Sequence, residues 1–220
     1  MLFNLFGKSL AISYGITVCN EVIELKNLLT ILIPLIDRND EIIVLQDITH
    51  KSLLVSKLLA EYKGKLVVVE ALLNNNFAAF KNKFLTTAKG DYLFQIDADE
   101  IPKAFLIKNL KKIILTVGDC DCFLVPRINI VNGYTDDQIQ KWNWNVNDKN
   151  YINFPDHQPR IIKLKGAIKW RYKVHEELVG YHSIYKLPAD IEDFCLIHIK
   201  DIEKQERQNE FYKGINIKSP

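Results

Sequence analysis

Cysteine, phosphate-cradling glycine loops and long apolar runs are all scarce in this sequence, and each scarcity closes off a class of protein. Only 4 cysteines (Cys19, Cys120, Cys122 and Cys195) occur among 220 residues. Cys120 and Cys122 stand one residue apart, the wrong spacing for a zinc knuckle or a thioredoxin-type pair, so reduced thiols are expected. No GxxxxGK followed by Ser or Thr occurs, which excludes a P-loop NTPase. No GxGxxG follows the first apolar run, which argues against a dinucleotide-binding domain. No uninterrupted apolar stretch approaches the roughly 20 residues that span a bilayer. The opening MLFNLFGKSLAISYGITV is broken by Asn4, Lys8 and Ser9 and has no small-residue cleavage site. A cytoplasmic protein is therefore expected, with Met1 to Phe6 packed on the domain or touching a membrane surface. The net charge of +2 is too near neutrality to argue for nucleic acid from bulk electrostatics. Internal repeats and low-complexity linkers are absent as well.

What is present is a globular composition, 48% hydrophobic and 25% charged, in a chain long enough to bury its own core. The first half alternates strand-like and helix-like runs. Ile12 to Val18 reads as a strand, and residues 20–35 repeat apolar side chains at helical spacing until Pro34 ends the run. Glu41 to Asp47, residues 65–70 and residues 91–97 read as three further strands. Helices are expected over residues 52–62, over residues 76–90 with Gly90 as the stop, and from Pro102 onward. Near-continuous apolar strands alternating with helices imply an α/β fold with a mostly parallel sheet covered on both faces. Such a sheet binds ligands at the C-terminal ends of its strands, where Asn20, Asp47 and Asp97 to Glu100 fall. After about residue 120 the pattern changes. FLVPRINIV reads as a strand, residues 134–150 as a long polar and aromatic loop, and PRIIKL with GAIKWRYKV as a hairpin. A late strand DFCLIHI and a closing helix KDIEKQERQNEFY complete the chain.

The segment YLFQIDADEIP carries Asp97, Asp99 and Glu100 directly after an apolar strand. Carboxylates gathered this closely need a counter-charge. A divalent cation with oxygen ligands supplies one, and magnesium or manganese suits a site shared with phosphates.

The order ITVCNEVIEL, EIIVLQD, then NFAAFKNKFLTTAKGDYLFQIDADE resembles the nucleotide-sugar domain of family 2 glycosyltransferases with the GT-A fold. The later PDHQPRIIKL and IKWRYKVHEEL are similar to the Val-His-Glu branch of that family, which includes lipopolysaccharide core enzymes. The resemblance covers roughly residues 12 to 200. It implies one domain over 1–220, with a nucleotide-sugar half at about 11–118 and an acceptor-side half at about 119–220. It also implies a UDP-sugar donor. Asp47 would then bond the base, while Val18, Asn20 and Glu21 would line the base and ribose pocket. Asp99 would ligate manganese or magnesium, and Asp97 would bind ribose or a metal-bound water. Lys81 and Asn82 stand where the family has Arg-Asn. That lysine can still meet a phosphate, although it lacks the bidentate fork of arginine. Gln46 replaces the first of two acids often found at the end of the second strand.

For the chemistry, the resemblance implies inverting single displacement, with Glu176 as general base and His175 orienting it or touching phosphate. Without that resemblance, His175 and Glu176 read as the solvated end of a strand. His198 reads either as a further metal ligand or phosphate contact, or as a buried histidine bonded to backbone. Glu100 either supports the metal and acceptor or caps the following helix. Arg160, Lys163, Lys165, Lys169, Arg171 and Lys173 carry no acid between them and, with Trp142, Trp144, Tyr151 and Trp170 nearby, suggest an anionic acceptor. That acceptor would be a lipopolysaccharide-type or phosphorylated glycan, or nucleic acid held by its phosphates. A solvated strand face is the other reading of the same row, and Arg160 within it matches the family's Gln-Pro-Arg. Two further functions stay open: a non-catalytic nucleotide- or carbohydrate-binding domain, and a glycosyltransferase acting on modified DNA bases. A nucleotidyltransferase would want a glycine-rich loop that CNEVIEL does not offer.

Overall fold

The computed structural model describes residues 10–164 and 166–214. Lys165 and Met1 to Phe6, both assigned places from sequence, lie outside the described residues. β1 (Ile12–Val18) leads through α1 (Val22–Leu32) to β2 (Glu41–Asp47), and α2 (Leu53–Glu61) leads to β3 (Val67–Ala71). Ser52 starts α2 by accepting the Val55 N–H, one of the donors a helix start leaves without a partner. The single helix expected next is two, α3 (Phe77–Lys81) and α4 (Lys83–Thr87). They meet at Asn82, whose amide donates to the Trp170 carbonyl at 2.9 Å and accepts its N–H at 2.8 Å. Gly90 is not the helix stop. It lies against β1, where a Cβ would meet the Ser13 nitrogen at 2.8 Å and the Ala11 oxygen at 2.9 Å.

β4 (Tyr92–Asp97) follows as read, but Glu100 to Pro102 forms β5 (Glu100–Pro102) instead of opening a helix, and α5 (Ala104–Val117) begins beyond it. After β6 (Cys122–Asn132) comes α6 (Asp136–Trp142) in place of a long loop, started by a reciprocal capping box between Thr135 and Gln138. The remaining elements are β7 (Asp156–Lys163), β8 (Lys169–Arg171), β9 (Glu177–Val179), β10 (Ile184–Lys186), β11 (Leu196–Asp201) and α7 (Ile202–Lys213). The expected hairpin does not form: β7 inserts antiparallel between β4 and β6, and β8 pairs with β9.

The main sheet runs β3-β2-β1-β4-β7-β6-β11-β5, with β10 beside β6, and β8–β9 forms a small antiparallel sheet. The architecture is mixed α/β, with a mostly parallel central sheet between helices. Alternation along the strands divides the core. Ile12, Tyr14 and Ile16 pack with Leu25, Leu28 and Leu110 on one face, while Leu45, Phe80, Phe84 and Leu93 pack on the other. β3 is the edge and leaves Val67 and Val68 exposed, so it is not covered on both sides as expected. Parallel pairing of β1 with β2 and β4 delivers Val18, Asp47 and Asp97 to one rim. Among the described residues no helix is long and apolar enough to cross a membrane.

Candidate active site

The carboxylates after β4 are compensated by side chains distant in sequence. Glu100 is fully buried and binds Arg160 and Arg127, while its Oε2 accepts the Asp97 N–H at 3.1 Å. It therefore sits inside β5, binding two arginines, and does not cap α5. Asp97 accepts the Thr17 hydroxyl at 2.7 Å and Arg160 at 2.8 Å. Arg127 completes the lattice by reaching Asp156 at 2.6 Å. Burial alone would raise the Asp97 pKa, but Arg160, Lys81 and the Thr17 hydrogen bond together hold it far below the usual carboxylate range.

Asp99 has a separate environment. His198, buried on β11, places Nε2 3.3 Å from its Oδ2, and Lys204 on α7 places Nζ 2.9 Å away. Against burial, these two partners keep Asp99 ionised well below the ordinary range. His198 is also held from its other ring nitrogen. Asn129 donates through Nδ2 to Asp156 at 2.8 Å, so its Oδ1 faces His198 Nδ1 at 2.9 Å and accepts from it. The Nε2 atom is left pointing at Asp99. A ring nitrogen fixed this way beside a carboxylate fits a divalent cation. Among the described residues no group of three or more His, Cys, Asp or Glu side chains forms a ready metal cage. Two protein ligands suit an ion whose other ligands are water and phosphate.

Glu176 and Lys81 form an ion pair, and the Lys81 ammonium lies 4.8 Å from the centre of the Trp170 ring. His175 takes a left-handed conformation, φ 52°, uncommon for a residue with a Cβ, and its ring lies 5.9 Å from that of Tyr212. Lys81, not His175, holds Glu176. The pair stands where two clefts meet. One, about 230 Å³, is lined by Val18, Cys19, Glu21, Asp47, Phe77 and Asp99. The other, about 470 Å³, extends over Asn129, Trp144, Asp156, Gln158, Trp170 and Lys200. Lys81, Asp97, Glu176 and His198 border both.

In the smaller cleft Asp47 Oδ1 accepts from Thr49 and from the Leu73 N–H, which shapes the rim. Burial and the neighbouring Asp47 and Glu21 push the Cys19 thiol up to about 11, making it a neutral wall. Glu21 accepts the N–H groups of Cys19 and Asn20 at 2.9 and 3.0 Å, so its carboxylate fastens its own turn. Asn20 lies in an adjoining groove with Glu21 and Lys204. Asn82, expected beside Lys81 at the nucleotide, is not among the residues lining either cleft, and both ends of its amide are committed to Trp170.

The basic row does not form one face. Arg160 is buried under Asp97, Lys163 pairs with Asp119, and Lys169 and Arg171 are exposed on β8. Among the described residues the row is dispersed, and the single basic face behind the nucleic-acid reading does not form. Arg127, Lys200, Lys204 and Gln208 were not singled out from sequence. An arginine within an apolar strand signals buried acids, as at Arg127. The spacing of Lys204, Gln208 and Tyr212 places them on one helix face.

No protein-family model matches the chain, and no curated protein is similar to it by sequence. Among solved structures, its fold is similar to that of S. aureus TarS. TarS residues 1–349 align with a TM-score of 0.59 at 15% identity, covering 86% of this chain and 60% of that one. The same fragment in complex with UDP-GlcNAc gives 0.57 at 15% identity, covering 86% and 58%. A longer TarS structure gives 0.59 at 14% identity, covering 90% of this chain and 38% of that one. The chain spans about 60% of the TarS fragment, and the likeness is one of fold.

Proposed function

We propose that this chain is a cytoplasmic glycosyltransferase that moves a sugar from a UDP-sugar to an acceptor hydroxyl with inversion. The observation that carries this reading is the junction of two clefts at Asp97, Glu176 and His198 on the ligand edge of the sheet, with Asp99 lining the smaller one. TarS, which shares the fold, binds UDP-GlcNAc.

In this reading the smaller cleft takes the nucleotide, with the base between Val18, Asp47 and Phe77 and the ribose near Asp97. Asp99 and His198 would hold manganese or magnesium, which when bound supplies positive charge for the leaving diphosphate. Lys204, already at Asp99, adds a second cation there. The acceptor lies in the larger cleft. Glu176 takes the proton of its hydroxyl as that oxygen bonds the anomeric carbon, and the bond to the diphosphate breaks on the opposite face. Lys81 orients Glu176 until substrates arrive. The acceptor is a glycan or another polyhydroxylated molecule.

Equilibrium binding across UDP-sugars, followed by UDP release over time, tests the proposal. Binding with slow release that an acceptor accelerates is the expected result. Tight binding without release under any acceptor would leave a binding domain, and no binding by any nucleotide sugar would contradict the reading.

A further inference from the structure

Among the described residues, the larger cleft contains one lysine or arginine without a carboxylate partner. Its floor is β6 and β11, paired so that Asn129 faces His198 and Val131 faces Lys200. Residues two apart on a strand share a face, so Lys200 points into the same cavity as His198. The other three cations of that cavity are committed: Lys81 to Glu176, Arg160 to Asp97 and Glu100, and Arg127 to Glu100 and Asp156. Lys200 is half-buried and, among the described residues, has no carboxylate within 4.0 Å. It donates to the neutral Gln208 amide oxygen at 3.1 Å. The acids near it are engaged elsewhere. Asp156 accepts from Arg127 and Asn129 on Oδ2 and from Gln158 on Oδ1, and Asp99 is held by His198 and Lys204.

An ammonium carries three donors, and withdrawing it from water is costly unless an anion receives them. Trp144 lines the same cavity, braced by Trp142 at 4.8 Å and Tyr134 at 6.1 Å, and offers a fixed apolar face to a ring or polyol carbon chain. We propose that Lys200 recognises an anionic substituent, phosphate or carboxylate, on a sugar or polyol acceptor whose reacting hydroxyl lies at Glu176. This assignment rests on the larger cleft being the acceptor side. It replaces the basic row as the anion-recognising feature.

The test compares three probes by isothermal titration: glucose 6-phosphate, glucuronate and the neutral methyl glucoside. A charge-assisted hydrogen bond predicts at least about tenfold tighter binding of one charged probe over the neutral one in wild type. The tighter of the two charged probes identifies phosphate or carboxylate. In K200M and K200Q that preference disappears while methyl glucoside affinity is unchanged, and K200R keeps the preference. Equal response to charged and neutral probes in wild type overturns the proposal without any variant, as does a preference that survives in K200M or K200Q. UDP binding with manganese is measured in parallel. If UDP binds and the charged preference is absent, this inference alone fails. If UDP does not bind but the preference depends on Lys200, the donor reading fails and the anion site stands.

Discussion

Lys81 and Glu176 are 95 residues apart in sequence and ion-paired at the boundary between the two clefts. The helix carrying Lys81 and the turn carrying Glu176 are also linked by the Asn82 amide on Trp170 and by the Phe77 N–H on the Lys173 carbonyl at 2.9 Å. In the proposed reaction, a base held this way is positioned before substrate arrives.

Replacing Glu176 with Gln keeps the shape and removes the proposed base. Transfer is expected to fall by about 10²- to 10⁴-fold while UDP-sugar affinity changes little. Initial rates and donor titration on the same preparation check this. Turnover equal to wild type would remove Glu176 from the chemistry.

Arg160 compensates two carboxylates, one of them fully buried. Arg160→Met should cost about 3–5 kcal/mol by leaving buried Glu100 with Arg127 as its remaining cation and Asp97 without its guanidinium, and adding Glu100→Gln should recover part of the loss. Urea unfolding midpoints of the single and double variants measure the coupling. Purely additive losses would show that the two side chains do not stabilise each other.

Acid should destabilise the fold through Asp97 and Asp99. Burial alone would raise both pKa values, but Arg160 and Thr17 at Asp97, and His198 and Lys204 at Asp99, depress them well below the ordinary 3.8. Each pair therefore adds stability that is fully present above the unfolded value and is lost as pH falls through the folded one. Melting temperature should hold from neutrality to about pH 5 and decline below that. Asp97→Asn should decline less steeply, and an acid limb as steep as wild type would refute the assignment.

Gly90 offers a test of packing away from the site. A Cβ there would strike β1 backbone, at 2.8 Å from the Ser13 nitrogen, so Gly90→Ala is expected to cost about 1–3 kcal/mol. Gly118, which has nothing within 4 Å of its would-be Cβ but a φ of +88°, should lose less, through backbone strain alone. Equal chemical-denaturation midpoints for the two variants would contradict this ranking.

How far the fold could be read from sequence varied with how locally each element is encoded. β1, β2 and β4 occupy the spans read for them because each is an apolar run ended by a polar turn, and the carboxylate rim followed from their parallel order. α6 buries none of its residues, so apolar periodicity could not find it; its signal was the Thr135–Gln138 capping box. The β7–β8 hairpin was misread because adjacency suggested pairing, whereas β7 finds partners in β4 and β6. Asp97, Glu176 and His198 all border both clefts, and Asp99 lines the smaller one. Lys204 was invisible, since 105 residues separate it from Asp99 and its helix has no apolar stripe. Charge neutralisation at the rim comes from α7 and β7, which local spacing near residue 97 does not encode.

The measurement closest to the central claim is thermal stabilisation by UDP-sugars with manganese and then with chelator, in wild type and Asp99→Asn. The account predicts a rise in melting temperature for wild type with at least one UDP-sugar, abolished by chelator and absent in the variant. The variant's baseline melting temperature should itself fall, by the stability that the Asp99 contacts with His198 and Lys204 contribute at neutral pH. Manganese-dependent stabilisation of the same size in Asp99→Asn, or none in wild type with any UDP-sugar, would contradict it.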